Sequence, residues 1–259
     1  MKFEFYKYQG TGNDFVILDN RDNKYGAIST TQVNQMCDRR FGIGADGLML
    51  LNLLEGYDFE MKYYNADGNE SSMCGNGGRC LVKFAMDRGM QQNHYSFVAI
   101  DGPHDATFEA NGWVRLKMKD VDQLSINGAD AVLDTGSPHY VKFAENVMAL
   151  DVFAEGRRIR YNDTFKEKGI NVNFVERQPG KILVRTYERG VENETLSCGT
   201  GVTACALAVA PATDGFHRVE VGTQGGNLAV EFTRLGNSFT NIWLCGPATF
   251  VFAGVIEME

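Results

Sequence analysis

Hydrophobic and polar residues alternate in two distant stretches of the chain, and each stretch predicts a β-strand. The first covers residues 59–64 (F-E-M-K-Y-Y) and the second residues 182–187 (I-L-V-R-T-Y). After each predicted strand come a polar loop, a cysteine and closely spaced glycines. Apolar residues then recur at helical spacing over residues 79–86 and 202–210, and Pro211 ends the second helix. The two stretches therefore share one plan of strand, loop, cysteine, glycine turn and helix.

The two cysteine loops repeat each other. Residues 70–77 read E-S-S-M-C-G-N-G and residues 194–201 read E-T-L-S-C-G-T-G, so both fit E-x-x-x-C-G-[NT]-G at an offset of 124 residues. The same offset relates T-G-N at residues 11–13 to T-G-S at residues 135–137. Two matches at the same offset indicate an internal duplication, and a duplication predicts an architecture of two related halves.

The rest of the chain is dominated by short predicted strands separated by Gly, Asn and Asp; examples are residues 97–100, 114–118, 228–232 and 249–252. Residues 30–40 predict one further amphipathic helix with Val33, Met36 and Cys37 on its apolar face. The pattern predicts an α+β fold of two pseudo-symmetric domains, each a curved, mostly antiparallel sheet wrapped around a central helix. The domain boundary is expected near residues 118–122, with the active site in the interdomain cleft.

Composition narrows the class of protein. The chain has 259 residues, is 44% hydrophobic and carries a net charge of -8, which disfavours nucleic acid and anionic membranes as partners because both attract basic surfaces. Charges at every second or third position of residues 1–7 are unlike a signal peptide or a membrane span. We therefore expect a soluble cytoplasmic protein whose six cysteines are thiols rather than disulfides.

A cysteine before Gly-x-Gly at a helix start lies where backbone N–H groups are unpaired and the helix dipole is positive. Such a place lowers a thiol pKa from about 8.5 toward roughly 3.5–7.5, and the same N–H groups can hold a carboxylate. Cys74 and Cys198 would then face one carboxylate-bearing carbon from opposite sides. One thiolate removes the α-proton and the other thiol returns a proton to the opposite face. The sequence thus predicts inversion of a carbon stereocentre.

This reaction needs no cofactor, and the sequence predicts none. The four histidines are scattered, without the spacing of a zinc site, and no pyridoxal-lysine motif is recognisable. Residues 42–47 fit G-x-G-x-x-G, but they follow a helical segment and precede residues 48–54, which predict a strand, so a dinucleotide site is rejected. Cys37 and Cys205 lie in apolar helical faces and are expected to pack in cores. Glu70 and Glu194 are expected to cap backbone groups in their loops.

With the two cysteine loops in place, the chain resembles the diaminopimelate epimerase family over nearly its whole length. The motifs that carry the resemblance are G-T-G-N-D-F at 10–15, R-F-G-I-G-A-D at 40–46, Y-N-A-D-G-N-E at 64–70, C-G-N-G-G-R-C at 74–80, G-S-P-H at 136–139, G-I-N-V-N-F at 169–174, Y-E-R-G at 187–190 and C-G-T-G at 198–201. The first cysteine block is highly specific together with the last two motifs. The resemblance implies a cofactor-independent isomerase that converts LL-2,6-diaminopimelate to the meso form in the synthesis of lysine and peptidoglycan precursors.

The resemblance also implies a role for individual residues. Cys74 and Cys198 match the acid/base pair, and His139 and Glu188 match residues that assist it. The side chains matching those that hold the substrate's amine and carboxylate groups are Asn13, Asn65, Asn171, Glu188 and Arg189, and the helix-start positions around the reacting carboxylate are Gly75, Asn76, Gly199 and Thr200.

For the whole molecule, the resemblance implies a first domain of residues 1–118 joined by a returning strand at 248–259, a second domain of residues 119–247, and a homodimer. Two positions depart from the family's pattern. Gly47 follows Asp46 where many members have Gln, and Ser137 precedes Pro138 where many have Asn, so a side-chain amide is missing at both positions.

Three other functions remain open at this stage. A two-thiol racemase of proline or hydroxyproline would share the chemistry, although Arg189 with Asn65 and Asn171 favours a substrate with a second carboxylate. A thiol–disulfide redox protein is disfavoured because no C-x-x-C is present. A non-catalytic amino-acid-binding protein would need neither cysteine.

Overall fold

The computed structural model describes residues 1–71, 73–127 and 129–258. Its strands in chain order are β1 (Lys2–Gly10), β2 (Asn13–Asp19), β3 (Gly47–Asn52), β4 (Phe59–Asn65), β5 (His94–Ala99), β6 (Gly102–Phe108), β7 (Val114–Lys117), β8 (Ser125–Asn127), β9 (Asp130–Asp134), β10 (Pro138–Phe143), β11 (Asn171–Gln178), β12 (Lys181–Glu188), β13 (Asn193–Thr195), β14 (Gly215–Thr223), β15 (Gly226–Leu235), β16 (Ser238–Gly246) and β17 (Thr249–Glu257). Its α-helices are α1 (Thr30–Cys37), α2 (Gly75–Asp87), α3 (Val152–Arg160) and α4 (Gly199–Val209). The chain forms two compact units, Met1–Leu116 with Pro247–Glu259 and Lys117–Gly246.

The first unit is built on strands that pair in an alternating order. β1 pairs antiparallel with both β17 and β2, β2 pairs parallel with β3, and β3 pairs antiparallel with β4. β4 is then parallel to β5, which begins an antiparallel run through β6 to β7. β3 is buried along almost its whole length, as expected for a strand whose sequence is G-L-M-L-L-N.

The second unit repeats this order. β9 is antiparallel to β8 and β10, β10 is parallel to β11, and β11 is antiparallel to β12. β12 pairs antiparallel with β13 and parallel with β14, after which β14, β15 and β16 are antiparallel neighbours. The α+β class with a mostly antiparallel sheet is therefore confirmed, and the repeat seen in the sequence is also a repeat of strand pairing.

One helix of each unit lies against several of its strands. α2 contacts β1, β2, β3 and β17, whereas α4 contacts β10, β11, β12 and β15 as well as other strands of its unit. α4 is buried on all sides from Val202 to Leu207, as expected for a helix that is apolar all round and lies inside a sheet. Because both helices begin directly after a cysteine, the cores that hold them also fix the positions of Cys74 and Cys198.

The helix predicted at residues 30–40 is shorter than expected. Ser29 and Gln32 form a capping box at its start, but the helix ends at Cys37. The Asp38 carboxylate accepts hydrogen bonds from the backbone N–H groups of Arg40 and Phe41, both at 2.7 Å, and this turn replaces the last helical residues. β3 begins at Gly47, so the G-x-G-x-x-G stretch precedes a strand, as the sequence predicted.

α3 was not predicted from the sequence. Its N-cap Asp151 accepts a hydrogen bond from the Ala154 backbone N–H, and only Val152, Gly156 and Ile159 of this helix are buried. Among the described helices, none is long and apolar enough to span a membrane.

Candidate active site

Cys74 is the N-cap of α2 and is partly buried. Its backbone is extended, and its carbonyl accepts the first helical hydrogen bond from Gly78 N at 2.8 Å. No hydrogen bond from the Cys74 side chain caps the described helix, so its sulfur is not used in capping. The residue therefore has the helix-start position that the sequence predicted for a reactive thiol.

The side-chain amide of Asn13, the first residue of β2, lies next to this sulfur. Cys74 Sγ lies 3.4 Å from Asn13 Oδ1, and Asn76 Nδ2 lies 3.4 Å from the same oxygen. The Asn13 amide nitrogen donates to a carboxylate oxygen of Asp46. The fold thus brings three of the predicted site residues, Asn13, Cys74 and Asn76, into one hydrogen-bonded group.

A cluster of ion pairs surrounds Asp14, the neighbour of Asn13. Lys7 Nζ lies 2.7 Å from Asp14 Oδ2, and Arg39 Nη2 lies 2.7 Å from both Asp14 Oδ1 and Asp46 Oδ1. Burial acts to raise the pKa of Asp14, but hydrogen bonds and charge from Arg39 and Lys7 outweigh it and hold this pKa at about 2. Asp14 is therefore ionised and anchors the loop on which Asn13 lies.

Arg79 is a site residue to which the sequence analysis assigned no role. It is fully buried in α2 and donates to Asn76 Oδ1 at 3.0 Å, to Thr11 Oγ1 at 3.3 Å and to the Gly75 carbonyl at 3.3 Å. A buried cation is costly unless oxygen atoms surround it. Arg79 therefore ties the first turn of α2 to the loop between β1 and β2.

Asn65 and Gly47 lie opposite each other on β4 and β3. The space beside Gly47 is filled, because an added Cβ would lie 2.5 Å from both Tyr63 Cε2 and the Tyr64 carbonyl oxygen. A larger side chain at position 47 would need both strands to move. Glycine at position 47 therefore leaves room for the Tyr63 ring and the Tyr64 carbonyl group.

Cys198 is the N-cap of α4, at the equivalent place in the second unit, and is 8% exposed. Its Sγ lies 3.5 Å from Thr200 Oγ1, and either atom can be the donor. Thr135 Oγ1 donates to the Thr200 carbonyl at 2.9 Å and so holds the first turn of α4. Thr135 lies in the sequence repeat, and its offset from Thr11 is the signal that points to this role.

His139 lies on β10 and is fully buried. Burial disfavours the charged imidazolium and lowers its pKa to about 3, so the ring is neutral. Asn173 Nδ2 lies 3.0 Å from His139 Nδ1, and the Asn173 amide is oriented by Thr186 Oγ1 and the Tyr140 carbonyl. Because the amide N–H donates to Nδ1, we assign the ring proton to Nε2, which has no hydrogen-bond partner among the residues that the structure describes.

The His139 ring lies beside the first turn of α4. A Cβ added to Gly201 would overlap Asn173 Oδ1 and would lie 3.4 Å from His139 Cε1. Glycine is therefore required at this position for the strand pair β10–β11 to approach the helix. Asn173 was also missed as a site residue, and the signal was its position two residues after Asn171 on one face of β11.

Asn171, Ser137 and Arg189 form a second hydrogen-bonded group in the same unit. Asn171 Nδ2 donates to Ser137 Oγ at 2.9 Å and to the Pro138 carbonyl at 3.1 Å, and Asn171 Oδ1 accepts from Arg189 N at 2.9 Å. Arg189 Nη2 lies 3.3 Å from Ser137 Oγ. Ser137 thus joins the two predicted substrate-binding side chains from the position where many family members have Asn.

The remaining acidic residues hold the loops. Glu188, the last residue of β12, accepts a hydrogen bond from Thr195 Oγ1 at 2.8 Å. The expectation that Glu70 and Glu194 cap backbone groups is not what the structure shows: Glu194 pairs with Arg185 at 2.6 Å and Glu70 lies 3.6 Å from Lys62. Each of these two glutamates therefore forms an ion pair with the strand that precedes its cysteine loop.

Three other cysteines are unsuited to acid/base chemistry. Cys37, Cys80 and Cys205 are buried thiols, and burial raises the pKa of Cys37 and of Cys80 to about 12 and that of Cys205 well above its usual range. They pack in the cores, as the apolar helical faces predicted for Cys37 and Cys205.

Two units of repeated topology, each with a cysteine at the start of its central helix, define an isomerase of the amino-acid epimerase type. A family model described as diaminopimelate epimerase matches residues 5–123 and 131–251. The chain belongs to the diaminopimelate epimerase family, and the resemblance drawn from its motifs is confirmed.

Curated relatives match along nearly the full chain. A diaminopimelate epimerase of Flavobacterium psychrophilum is 50% identical over 255 residues, which cover 98% of this chain and 100% of the relative. Diaminopimelate epimerases of Chlorobaculum tepidum and Aquifex aeolicus are 42% and 37% identical, and the matches cover 96% and 99% of this chain and 99% and 98% of those relatives.

Solved structures with low sequence identity share the fold. A phenazine biosynthesis protein of the PhzF family from Bacillus anthracis matches with a TM-score of 0.73 at 13% identity, over 100% of both chains. A hydroxyproline epimerase from Agrobacterium vitis, solved with bound trans-4-hydroxy-L-proline, matches with a TM-score of 0.64 at 14% identity over 98% of this chain and 92% of the other. Likeness at this level of identity concerns the fold alone.

Proposed function

We propose that this protein converts LL-2,6-diaminopimelate to meso-diaminopimelate, with Cys74 and Cys198 as the acid/base pair. The observation that carries the proposal is the equivalent position of the two cysteines, each of which is the N-cap of the central helix of its unit. The substrate is that of relatives which are up to 50% identical over almost the whole chain. The reaction belongs to lysine biosynthesis.

In the proposed reaction one sulfur is a thiolate and the other a thiol. The thiolate takes the α-proton from one face of the substrate carbon, and the thiol gives its proton to the other face. The negative charge that develops on the carbon spreads into the adjacent carboxylate. The backbone N–H groups at Gly75, Asn76, Gly199 and Thr200 begin the two helices and suit this charge, because helix N-termini stabilise anions.

The assisting residues have distinct proposed roles. His139 is neutral, and its Nε2–H can donate a hydrogen bond near the first turn of α4. Glu188 supports the end of β12, from which Arg189 continues. We expect Asn13, Asn65, Asn171 and Arg189 to bind the amine and carboxylate groups of the substrate. In Asn171 both amide hydrogens already donate within the protein, so its contact with substrate would use the remaining lone pair of its oxygen.

Two thiols supply both proton transfers, so the proposed reaction requires no cofactor. The thiols must stay reduced to act as acid and base, which favours a reducing compartment, and we propose the cytoplasm as the site of action. The reaction also requires the two sulfurs to reach one carbon from opposite faces, which stays a prediction.

Exchange of hydrogen with solvent tests the proposal. In D2O the enzyme should convert LL-diaminopimelate to the meso form with deuterium at the inverted α-carbon, as followed by proton NMR and chiral chromatography. Cys74→Ala and Cys198→Ala should each lower this activity by several orders of magnitude, whereas Cys205→Ala, which changes a core cysteine of α4, should retain it. Turnover retained in both active-site variants would contradict the two-thiol mechanism, and racemisation of proline without action on diaminopimelate would contradict the substrate.

We further propose a homodimer that uses the surface of β17. Both faces of this strand carry exposed apolar side chains, because its register with β1 shifts between the pairs Lys7↔Phe252 and Tyr8↔Phe250. Phe252 lies on the face of Lys7, whereas Phe250 and Val255 lie on the opposite face. Contiguous exposed apolar side chains of this kind are typical of protein–protein interfaces.

A further inference from the structure

Residues at equivalent positions of the two cysteine loops differ in kind, although the loops repeat each other. At the offset of 124 residues Asn13 corresponds to Ser137, Asn76 to Thr200 and Arg79 to Thr203. The first unit thus uses two amides and a guanidinium where the second uses three hydroxyls. This matters because an amide has a fixed donor end and a fixed acceptor end, whereas a hydroxyl can rotate to donate or accept.

The amides of the first unit form a chain whose direction is fixed at both ends. Asn76 Oδ1 accepts from Arg79 at 3.0 Å, Asn76 Nδ2 lies 3.4 Å from Asn13 Oδ1, and the Asn13 amide nitrogen donates to Asp46. Turning over the Asn76 amide would place its N–H groups against the Arg79 cation. Turning over the Asn13 amide would place its oxygen against the Asp46 carboxylate. The chain therefore holds Asn13 Oδ1 toward Cys74.

The sulfur of Cys74 consequently faces an atom that can only accept a hydrogen bond. Cys74 Sγ lies 3.4 Å from Asn13 Oδ1, and a thiol can donate to this oxygen, whereas a thiolate would be repelled by it. A hydrogen bond to the neutral form of a group disfavours its ionisation. This contact therefore favours a proton on Cys74.

The sulfur of Cys198 has a hydroxyl donor within reach. Thr200 Oγ1 lies 3.5 Å from it and can turn its O–H toward a thiolate. The proton of the neutral His139 ring is on Nε2, and this buried N–H has no partner among the described residues and belongs to a ring beside the first turn of α4. Donors of this kind stabilise an anion.

We infer that in the resting enzyme Cys74 carries the proton and Cys198 is the thiolate, and that Arg79 is the positioning residue that fixes this order through Asn76 and Asn13. The inference rests on the proposed function of the two cysteines as acid and base. In one turnover Cys198 takes the α-proton of the substrate and Cys74 gives its own proton to the opposite face. The proton is then on Cys198 and the negative charge on Cys74. Cys198 releases its proton to water and Cys74 takes one from water, which restores the resting state.

Charged groups lie near both loops. Around the first loop, Lys7 and Arg39 are paired with Asp14 and Asp46, and Arg79 is an additional cation. The Asp101 carboxylate accepts a hydrogen bond from the backbone N–H of Met73, the residue before Cys74. The charge of Arg79 by itself would favour a thiolate on Cys74. Its guanidinium, however, is bound by three oxygen atoms, whereas Asn13 Oδ1 contacts the sulfur directly.

Around the second loop, Asp134 and Arg189 are the charged groups that act on His139 in opposite directions, and Glu188 ends the adjacent strand β12. Because these charges act in opposite directions on His139, we attribute the preference for thiolate on Cys198 to the Thr200 hydroxyl. The charge of Arg79 and the orientation of the amides therefore predict opposite effects on the ionisation of Cys74, and this makes the inference testable.

The test is the pH dependence of alkylation at each cysteine. The reduced full-length protein is treated briefly with iodoacetamide from pH 5 to 10, and the modification of Cys74 and Cys198 is quantified separately by peptide mass spectrometry. The midpoint for Cys198 should lie at lower pH than that for Cys74. We compare the midpoints of the two pH profiles and not the rates, because Cys198 is the more buried of the two and burial by itself slows alkylation.

Two variants separate the causes. Arg79→Met frees the amides to turn, so the Cys74 midpoint should fall by about one pH unit, equivalent to tenfold in its ionisation constant. Thr200→Val removes a donor and should raise the Cys198 midpoint by a similar amount while Cys74 keeps its own. Thr203→Val is the control, because its hydroxyl donates to the Gly199 carbonyl instead, and both midpoints should stay unchanged.

A lower midpoint for Cys74 than for Cys198 in the wild-type protein would overturn the inference. A rise of the Cys74 midpoint in Arg79→Met would show that charge governs it. If Arg79→Met fails to fold, the order of the two wild-type midpoints and the shift of the Cys198 midpoint in Thr200→Val still test the inference. Alkylation does not depend on turnover, so the deuterium exchange assay can fail or succeed independently and distinguishes failure of the proposed function from failure of this inference.

Discussion

At the scale of single residues, His139 shows how burial determines the protonation state of a side chain. The ring is fully buried on β10, and the Asn173 amide occupies its Nδ1. Burial lowers the pKa of His139 from 6.5 to about 3. The folded protein therefore resists binding a proton that the unfolded chain accepts readily below pH 6.5.

This difference predicts a pH dependence of stability. Above pH 6.5 the imidazole is neutral in both the folded and the unfolded protein, and His139 does not lower the free energy of unfolding. As the pH falls from 6.5 toward 3, the unfolded chain binds a proton that the folded protein does not, and the free energy of unfolding falls by up to about 1.4 kcal/mol per pH unit. Urea unfolding between pH 4 and 6.5 should therefore show a steeper loss of stability for the wild type than for His139→Asn. The loss from Asp14, whose pKa falls from 3.8 in the unfolded chain to about 2 in the folded protein, begins at the acid end of this window and is common to both proteins, so the difference between their slopes reports His139. Equal slopes in the wild type and His139→Asn would refute the burial argument.

Ser137 carries the second prediction at this scale. Its hydroxyl accepts hydrogen bonds from Asn171 and Arg189, two side chains proposed to bind substrate. Removing it in Ser137→Ala should raise KM for LL-diaminopimelate about 5- to 10-fold, the effect of about one hydrogen bond, with little change in kcat. Steady-state kinetics check this, with Ser125→Ala on β8 as the matched control. A fall in kcat at unchanged KM would instead connect Ser137 with the chemical step.

At the scale of elements, the approach of β11 to the start of α4 depends on Gly201. A Cβ at this position would overlap Asn173 Oδ1, and Asn173 cannot move without losing its contact with His139. Gly201→Ala should therefore lower the free energy of unfolding by about 1–3 kcal/mol, as measured by urea denaturation.

Gly78→Ala in α2 is the matched control for this prediction. Its added Cβ would lie 3.3 Å from Leu116 Cδ2 and 3.4 Å from Met73 Sδ, both at the ends of flexible side chains. We expect a change within about 1 kcal/mol, since Ala is the better helix former. Equal destabilisation by the two substitutions would show that the contact with Asn173 is not the cause.

Local sequence predicts some of these elements and contacts but not others. The strands and helices next to Cys74 and Cys198 follow from alternation and glycine spacing, because these are local properties. The role of Arg79 does not, since a charged residue in a helix is usually at the surface, and its burial depends on Thr11, which is distant in the chain. The filling of the space beside Gly47 by Tyr63 likewise depends on strand register. α3 was missed because little of it is buried, which leaves a weak apolar pattern.

At the scale of the whole molecule, β17 differs from the other strands described. It is the last strand of the chain and pairs with β1 from Lys2↔Glu257 to Gln9↔Thr249, so it closes the first unit. Side chains on successive positions of a strand point to opposite faces, and in β17 both faces expose apolar residues. A strand inside a monomer normally hides at least one such face, and a second copy of the chain would cover what remains exposed.

If β17 forms the dimer interface, a charge among its exposed apolar side chains should separate the subunits. Val251 is 51% exposed, so Val251→Lys costs little in the isolated chain but would bury an unpaired ammonium group in a dimer. Light scattering after size exclusion should report a dimer for the wild type and a monomer for Val251→Lys. Leu235→Lys provides the control, because this equally apolar and more exposed residue lies at the end of β15 in the other unit, and its variant should remain dimeric. A monomeric wild type would contradict the homodimer itself, whereas a dimeric Val251→Lys would move the interface away from β17.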